Sequence, residues 1–203
     1  MTDINSGMVV YLIVFFVLAS CGYMYYDKSG FQLKCIISDV DGNTYCVRDR
    51  KKKRQAVDLL AKITQKAISF IEFMKSKYAD DDRTKRLSKN FKPEHVSETL
   101  PNSTYTAYSE NKGEKTAFCL TKKKNDDTEL IDEHTLTFVL AHELTHQCTV
   151  STNHTHEFWS NFKFILDKFK ESGLHEPRDY AKEPGEYCSM ELKDNPYYDM
   201  GNK

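Results

Sequence analysis

Two histidines and a glutamate carry the chemistry of this chain. They lie in the run Ala141-His142-Glu143-Leu144-Thr145-His146. Residues four apart share one face of a helix, so the imidazoles of His142 and His146 can reach a single metal ion. Glu143 then lies beside that metal, placed to take a proton from a bound water. A catalytic zinc also needs a third protein ligand and an open position. Four of the seven histidines fall between 142 and 156. His154 stands eight residues beyond His146, after the turn-like Ser151-Thr152-Asn153, and a chain reversal there would return it to the metal. His156 competes for the same role and Glu157 is a further candidate; spacing alone hardly separates them. His134 lies more than two helical turns before His142 and reads as a surface residue or a neighbour of the ligands. His95 and His175 are isolated and read as structural or solvated.

The chemistry expected of this set is hydrolysis of a peptide bond by a Glu-activated, zinc-bound water. Three neutral imidazoles leave Zn2+ its full positive charge, which brings the titration of a bound water near neutrality. Glu143 would accept the proton, direct the hydroxide at a peptide carbonyl and later protonate the leaving amine. Tyr180 or Tyr187 could stabilise the oxyanion, although packing is the plainer role for each. The rival reading of the same residues is a non-catalytic zinc-containing membrane-bound interaction protein.

The motif must be held by a helix. Leu136, Val139, Leu140, Leu144 and Cys148 recur at helical spacing, with Asp132 or a close neighbour as the N-cap and an end near Thr149. A second helix is expected over about 157–172, with Phe158, Phe162, Ile165, Leu166 and Phe169 as its buried stripe and Gly173 as the C-cap. Upstream, residues 31–49 read as a β-hairpin around Asp41-Gly42-Asn43, and residues 50–78 as a long helix. Residues 79–100 read as a linker with one short helix. Residues 105–108 and 116–121 form a second hairpin around Asn111-Lys112-Gly113. The strand just before the metal helix could serve as an edge for an extended peptide. The tail, with Pro177, Pro184 and Pro196, reads as extended.

Composition narrows the partners. The net charge is -1 in 203 residues, so nothing in the overall balance points to nucleic acid. The run Arg48 to Arg54 could touch nucleic acid or anionic lipid, but a solvated helix start is the plainer reading. Asp80-Asp81-Asp82 lacks the spaced oxygen ligands of a calcium loop. The six cysteines are scattered singly, with no C-x-x-C pair, which suits reduced thiols; an even count also permits disulfides.

Residues 4–26 carry no charge, and Met8 to Ala19 is continuously apolar except for Tyr11. This stretch is expected to cross a membrane as a helix, with Tyr23, Tyr25 and Tyr26 at the interface. A cleaved signal is the alternative, with Leu18-Ala19-Ser20-Cys21 resembling a lipobox, but no Lys or Arg precedes it. Lys28, Lys34 and the Arg48 to Arg54 run follow the stretch, which places the rest of the chain on the cytoplasmic side by the positive-inside rule. The sequon Asn153-His154-Thr155 agrees, since a glycan there would obstruct the metal.

The run Leu140 to His146, followed by His154-Thr155-His156-Glu157-Phe158-Trp159, resembles the WLM (Wss1-like) and SprT-like metallopeptidases. In that group the third ligand is a histidine four positions before a Phe that opens the next helix, so the resemblance selects His154 over His156. The flanking Asn153 and Thr155 depart from the small glycine often found there. The resemblance extends over Thr104 to Tyr108, Lys112 to Lys115 and Phe118 to Leu120, then to about Cys188. It implies a Zn2+ cofactor, a protein or peptide substrate and an α+β zincin-like fold. Better-known relatives cleave proteins crosslinked to DNA, so a DNA–protein crosslink protease is a further alternative.

The expected architecture is therefore α+β. A transmembrane anchor and flank (1–30) precedes a segment of hairpin, long helix and linker (31–100). A WLM/SprT-like core (101–203) follows, with a small antiparallel sheet over the metal-binding helix. Glu143 is the expected catalytic residue and His142, His146 and His154 the expected metal ligands.

Overall fold

The structure, a computed structural model, describes residues 3–26, 33–124, 126 and 128–199. Strands β1 (Leu33–Ile37) and β2 (Thr44–Arg48) form an antiparallel hairpin in which Cys35 lies opposite Cys46. Gly42, at φ +73°, closes the turn. The Asp41 carboxylate accepts from the Asn43 amide and from the Tyr45 hydroxyl, which pins the turn to the strand.

Helix α2 (Lys53–Lys77) follows. Its buried positions, among them Val57, Leu60, Ala61, Thr64, Ala67, Ile71 and Met74, recur at three and four and face the core. The short helix α3 (Asp82–Asn90) starts where the Asp81 side chain accepts from the Arg83 amide. The acidic triplet thus contributes a helix cap. A 3-10 turn (Pro93–His95) leads into β3 (Val96–Glu98), and β4 (Ala107–Glu110) and β5 (Lys115–Phe118) complete the sheet.

That sheet departs from expectation. It has five strands in the order β1-β2-β3-β5-β4 and is mixed rather than antiparallel. The outer pairs β1–β2 and β4–β5 are antiparallel, while β2–β3 and β3–β5 are parallel. The parallel pairs arise because β3 inserts between the two hairpins. Burying β3 satisfies its backbone on both sides and lets the Glu98 carboxylate accept from the Arg48 amide. Arg48 in turn donates to the Thr99 and Leu100 carbonyls, tying the loop after β3 to β2. A consequence concerns the free edge. The strand before the candidate metal-site helix, β5, is interior; the edges are β1 and β4.

Helices α4 (Glu133–Cys148) and α5 (His156–Glu171) pack against each other and, with α2, under the sheet. Leu136, Leu140 and Leu144 of α4 are fully or almost fully buried with Leu60, Ile63 and Phe70 of α2 and Phe162, Ile165 and Phe169 of α5. Phe70 stacks on Phe169 with ring centroids 3.8 Å apart. Each such side chain contributes roughly 1.5–3 kcal/mol by leaving water. Gly173, at φ +73°, ends α5, and the Leu174 amide donates back to the Phe169 carbonyl.

The tail is not simply extended. Strands β6 (Gly185–Tyr187) and β7 (Met190–Leu192) form a hairpin, followed by the short helix α6 (Pro196–Asp199). The hairpin turn is Cys188-Ser189, both at positive φ (49° and 65°), where L side chains are disfavoured. Outside contacts hold it there. The Cys188 and Ser189 amides donate to the Thr121 and Lys122 carbonyls, and Cys188 is disulfide-bonded to Cys119. Cys35 and Cys46 form a second disulfide across β1 and β2. The expectation of reduced, isolated thiols therefore fails for these four cysteines; Cys21 and Cys148 are free.

The expected transmembrane anchor is also overturned. Helix α1 (Asp3–Tyr26) forms, but among the described residues no helix is long and apolar enough to cross a membrane. The apolar run Met8 to Ala19 covers about 18 Å of helix at 1.5 Å per residue, against a hydrocarbon core of about 30 Å. Ser20 and Gly22 then interrupt it, and the Ser20 hydroxyl turns back onto the Phe16 carbonyl. The membrane as a partner through residues 8–26, the single-pass topology and the cytoplasmic-side placement of the domain fall with the anchor. Lys28 and the start of the first hairpin, residues 31 and 32, lie outside the described residues.

Candidate metal centre

The metal-site helix is fastened at both ends. Asp132 caps α4 by accepting from the Thr135 amide and hydroxyl, as its position before the apolar pattern predicts. At the other end, the otherwise orphaned carbonyls of Gln147 and Cys148 accept from Asn90 and Arg86 of α3. Gln147 also donates to the buried Thr116 hydroxyl of β5, locking the helix to the sheet. His142 and His146 therefore project from a backbone with little freedom to move.

The third histidine comes back on a loop that is held just as firmly. Lys112, in the β4–β5 turn, donates through Nζ to the carbonyls of Thr149 (2.8 Å) and Ser151 (2.6 Å). The Glu157 carboxylate accepts from the amides of Val150 (3.1 Å) and Ser151 (3.0 Å). Asn153 reverses the chain at φ +65°, a conformation asparagine tolerates. Thr155 then caps α5 by accepting from the Phe158 amide.

The outcome is a convergence of three imidazoles. His142 Nε2 lies 3.2 Å from His146 Nε2 and 3.0 Å from His154 Nε2. One ligand atom from each of the three lies within 4.8 Å of the other two. A tetrahedral ion with bonds of about 2.0–2.1 Å spaces its nitrogen ligands by about 3.3 Å, so the set fits such an ion closely. Among the described residues no other group of three or more His, Cys, Asp or Glu side chains comes together in this way. His156, the competing ligand, is exposed at the first position of α5 and outside the cluster. Glu157 is also outside it, its carboxylate occupied by the loop amides. His134 bonds the Glu176 carbonyl, His95 bonds the Glu114 carbonyl, and His175 lies against His134 with ring centroids 4.4 Å apart.

Phe158 forms the floor of the triad. Its ring lies 4.9, 4.4 and 4.6 Å from those of His142, His146 and His154, and it is fully buried. A rigid aromatic in that place restricts all three imidazole orientations at once. Burial, and after it the neighbouring histidines, pushes His142 down to about 3. His146 falls to about 4, again chiefly through burial, and burial also lowers His154. The three rings are thus neutral near pH 7, with nitrogen lone pairs available to a cation.

Glu143 is the counterpart. It is 3% exposed, burial pushes its carboxyl up to about 8, and its Oε2 is buried with no hydrogen-bond partner. A lone carboxylate in such a place is costly unless a positive charge or a reacting group stands nearby. The unpartnered oxygen and the three neutral nitrogens are complementary: a divalent cation at the triad would supply the missing charge.

The two tyrosines proposed as oxyanion donors differ: the Tyr187 hydroxyl is committed to the backbone, whereas the Tyr180 hydroxyl is buried without a hydrogen-bond partner. Tyr187 is buried, accepts from the Cys119 amide and donates to the Thr106 carbonyl, so its hydroxyl is spent on the backbone. Tyr180 is fully buried, with its ring against Phe138. Lys112 is the contributor that sequence reasoning missed. Lys112 sits in a turn like many surface lysines, and nothing in its neighbours marks it.

Two cavities meet at the centre. The larger, about 840 Å³, runs along β4 and the 100–105 loop and reaches His142, Glu143, His146 and His154. The smaller, about 440 Å³, opens from His142, Glu143 and His154 toward α5 and the β6–β7 hairpin.

Comparison with known proteins sets this geometry in context. No family model matches the chain. An uncharacterised protein of Acanthamoeba polyphaga mimivirus is 23% identical over 172 residues, covering 83% of this chain and 86% of that protein. Among solved structures, Wss1 from Saccharomyces cerevisiae is similar at 18% identity, covering 61% of this chain and 86% of that one, with a TM-score of 0.46. A mutant of the same yeast protein gives 17% identity, 64% and 91% coverage and a TM-score of 0.47.

Proposed function

We propose that this chain is a zinc-dependent peptidase that hydrolyses peptide bonds in the cleft beside β4. The observation that carries the reading is the convergence of His142, His146 and His154 next to the buried, unpartnered carboxylate of Glu143. The three imidazoles would hold Zn2+. When bound, zinc acts as a Lewis acid on the peptide carbonyl and lowers the pKa of water at the site. Glu143 takes the proton of the attacking water and returns it to the leaving amine. Burial raises its pKa in the metal-free chain, and a divalent cation at the triad would offset that cost and favour the carboxylate that accepts the proton.

Strand β4 supplies alignment. As a free edge of the sheet it carries unpaired backbone groups along the larger cavity, where an extended peptide can add as a further strand. This replaces the expected edge at 116–120 by residues 107–110.

The test is direct. Full-length protein should cleave an unbiased peptide library, lose that activity to a chelator and regain it on adding zinc. Cleavage that survives complete zinc removal would overturn the reading.

A further inference from the structure

We propose that the smaller cavity is a recognition pocket for one large apolar side chain of the substrate, adjacent to the scissile bond. This inference rests on the peptidase reading of the same site. It names the substrate class that reading leaves open.

The position of the cavity makes the first argument. His142, Glu143 and His154 line both cavities, so a peptide whose carbonyl sits at the triad has its backbone in the larger one and the smaller one within a side chain's reach. Thr106 and Ala107, at the start of β4, also line the smaller cavity. The two spaces therefore meet where an added strand would change from edge pairing to the reacting bond.

The chemistry of the walls makes the second. Phe138, Val139, Trp159 and Phe162 from α4 and α5 form one side, and Met190 and Leu192 of β7 form the other. Phe138, Val139 and Phe162 are almost completely buried, so the far end is apolar and shielded from water. Three charged residues at the hairpin end also line this cavity: Glu191 and Lys193 pair with each other at 2.9 Å, and Asp194 is likewise engaged rather than free. A charged substrate side chain would lose water against the apolar walls of α4 and α5. A pocket of about 440 Å³ also lies in the range that binds compact apolar groups.

Met190 and Leu192 are the selective residues because their wall is anchored to the edge strand. The Tyr187 hydroxyl donates to the Thr106 carbonyl, the Thr106 hydroxyl reaches the Met190 sulfur at 3.7 Å, and Cys188 is bonded to Cys119 next to β5. The hairpin and the segment entering β4 are therefore tied together by a hydrogen bond, a sulfur contact and, through Cys119, a disulfide.

Two measurements test the pocket. In library cleavage by the full chain, sites should be enriched in Phe, Leu, Met or Trp on one side of the cut. Leu192→Lys should lower kcat/KM for those sites by about 10–200-fold, the range for loss of a small apolar contact. It should also raise the share of sites with Asp or Glu there. No enrichment at either flanking position, or an unchanged preference in Leu192→Lys, overturns the proposal. Binding separates this inference from the reading beneath it. A fluorescent hexapeptide with a central Phe should bind zinc-loaded Glu143→Gln at least about tenfold more tightly than its Ala counterpart. That gap should close in Glu143→Gln with Leu192→Lys. Equal affinities overturn the pocket whether or not the wild type cleaves. Discrimination without any wild-type cleavage supports the pocket and overturns the peptidase reading alone.

Discussion

Replacing Lys112 with Met should weaken metal binding while leaving the triad residues untouched. Lys112 Nζ makes two bonds to carbonyls of the loop that carries His154, at 2.8 and 2.6 Å. A hydrogen bond to a charged group contributes roughly 1.5–3 kcal/mol when well shielded. Lys112 is half-buried, so water competes for its ammonium and the pair is worth about 1–2 kcal/mol together. Glu157 still holds the amides of Val150 and Ser151 in the variant, so the loop loosens without melting. Ordering it then becomes part of binding the ion, and affinity should fall by about 5–30-fold, the factor that 1–2 kcal/mol represents. The assay is zinc competition against a chromophoric chelator, with chemical denaturation of the metal-free protein in parallel. Methionine keeps the aliphatic stem, so the metal-free protein should lose no more than about 1 kcal/mol. Unchanged zinc affinity, or a loss of affinity matched by general unfolding, would refute the claim that Lys112 positions His154.

Three further outcomes are expected. His154→Ala should abolish stoichiometric zinc binding, whereas His156→Ala should retain it by elemental analysis, since only His154 reaches the other two imidazoles. Replacing Cys119 and Cys188 by Ser together should cost about 4 kcal/mol in denaturant unfolding, the loop-entropy figure for a crosslink of this span, because 69 residues separate the pair. The third concerns acid. Burial holds His175 at about 3 against an ordinary 6.5, so its neutral ring favours the folded state above pH 6.5 and that contribution drains away as pH falls toward 3. The melting temperature should therefore fall less steeply across that window in His175→Gln than in the wild type.

The parts of this fold legible in the sequence are those governed by near neighbours. The spacing of His142 and His146, the Asp132 cap and the Gly173 stop are each decided within one or two turns of helix. The loop that returns His154 is longer, and spacing alone left His156 equal to it. The difference lies in the Thr155 cap, which starts α5 at His156 and points that residue away from the cluster. What remained hidden depends on distant contacts. The three-residue strand β3 is too short to announce itself, yet its insertion makes the sheet mixed and moves the free edge from β5 to β4. The β6–β7 turn has neither Gly nor Asn at its positive-φ positions, and it persists through amide bonds to Thr121 and Lys122 and the link to Cys119. Six cysteines leave pairing open until the register sets Cys35 opposite Cys46. The N-terminal run is the opposite case: its apolar composition suggests a span, but among the described residues no helix is long and apolar enough to cross a membrane.

The central claim is that Glu143 moves the proton while the three histidines hold the ion. Its most direct measurement compares zinc content and peptide turnover in the wild type and in Glu143→Gln. Glutamine keeps the shape and cannot accept the proton, so zinc should stay at one per chain while kcat falls by at least about 10²–10⁴-fold. Turnover within a few-fold of the wild type at equal zinc content would contradict the account.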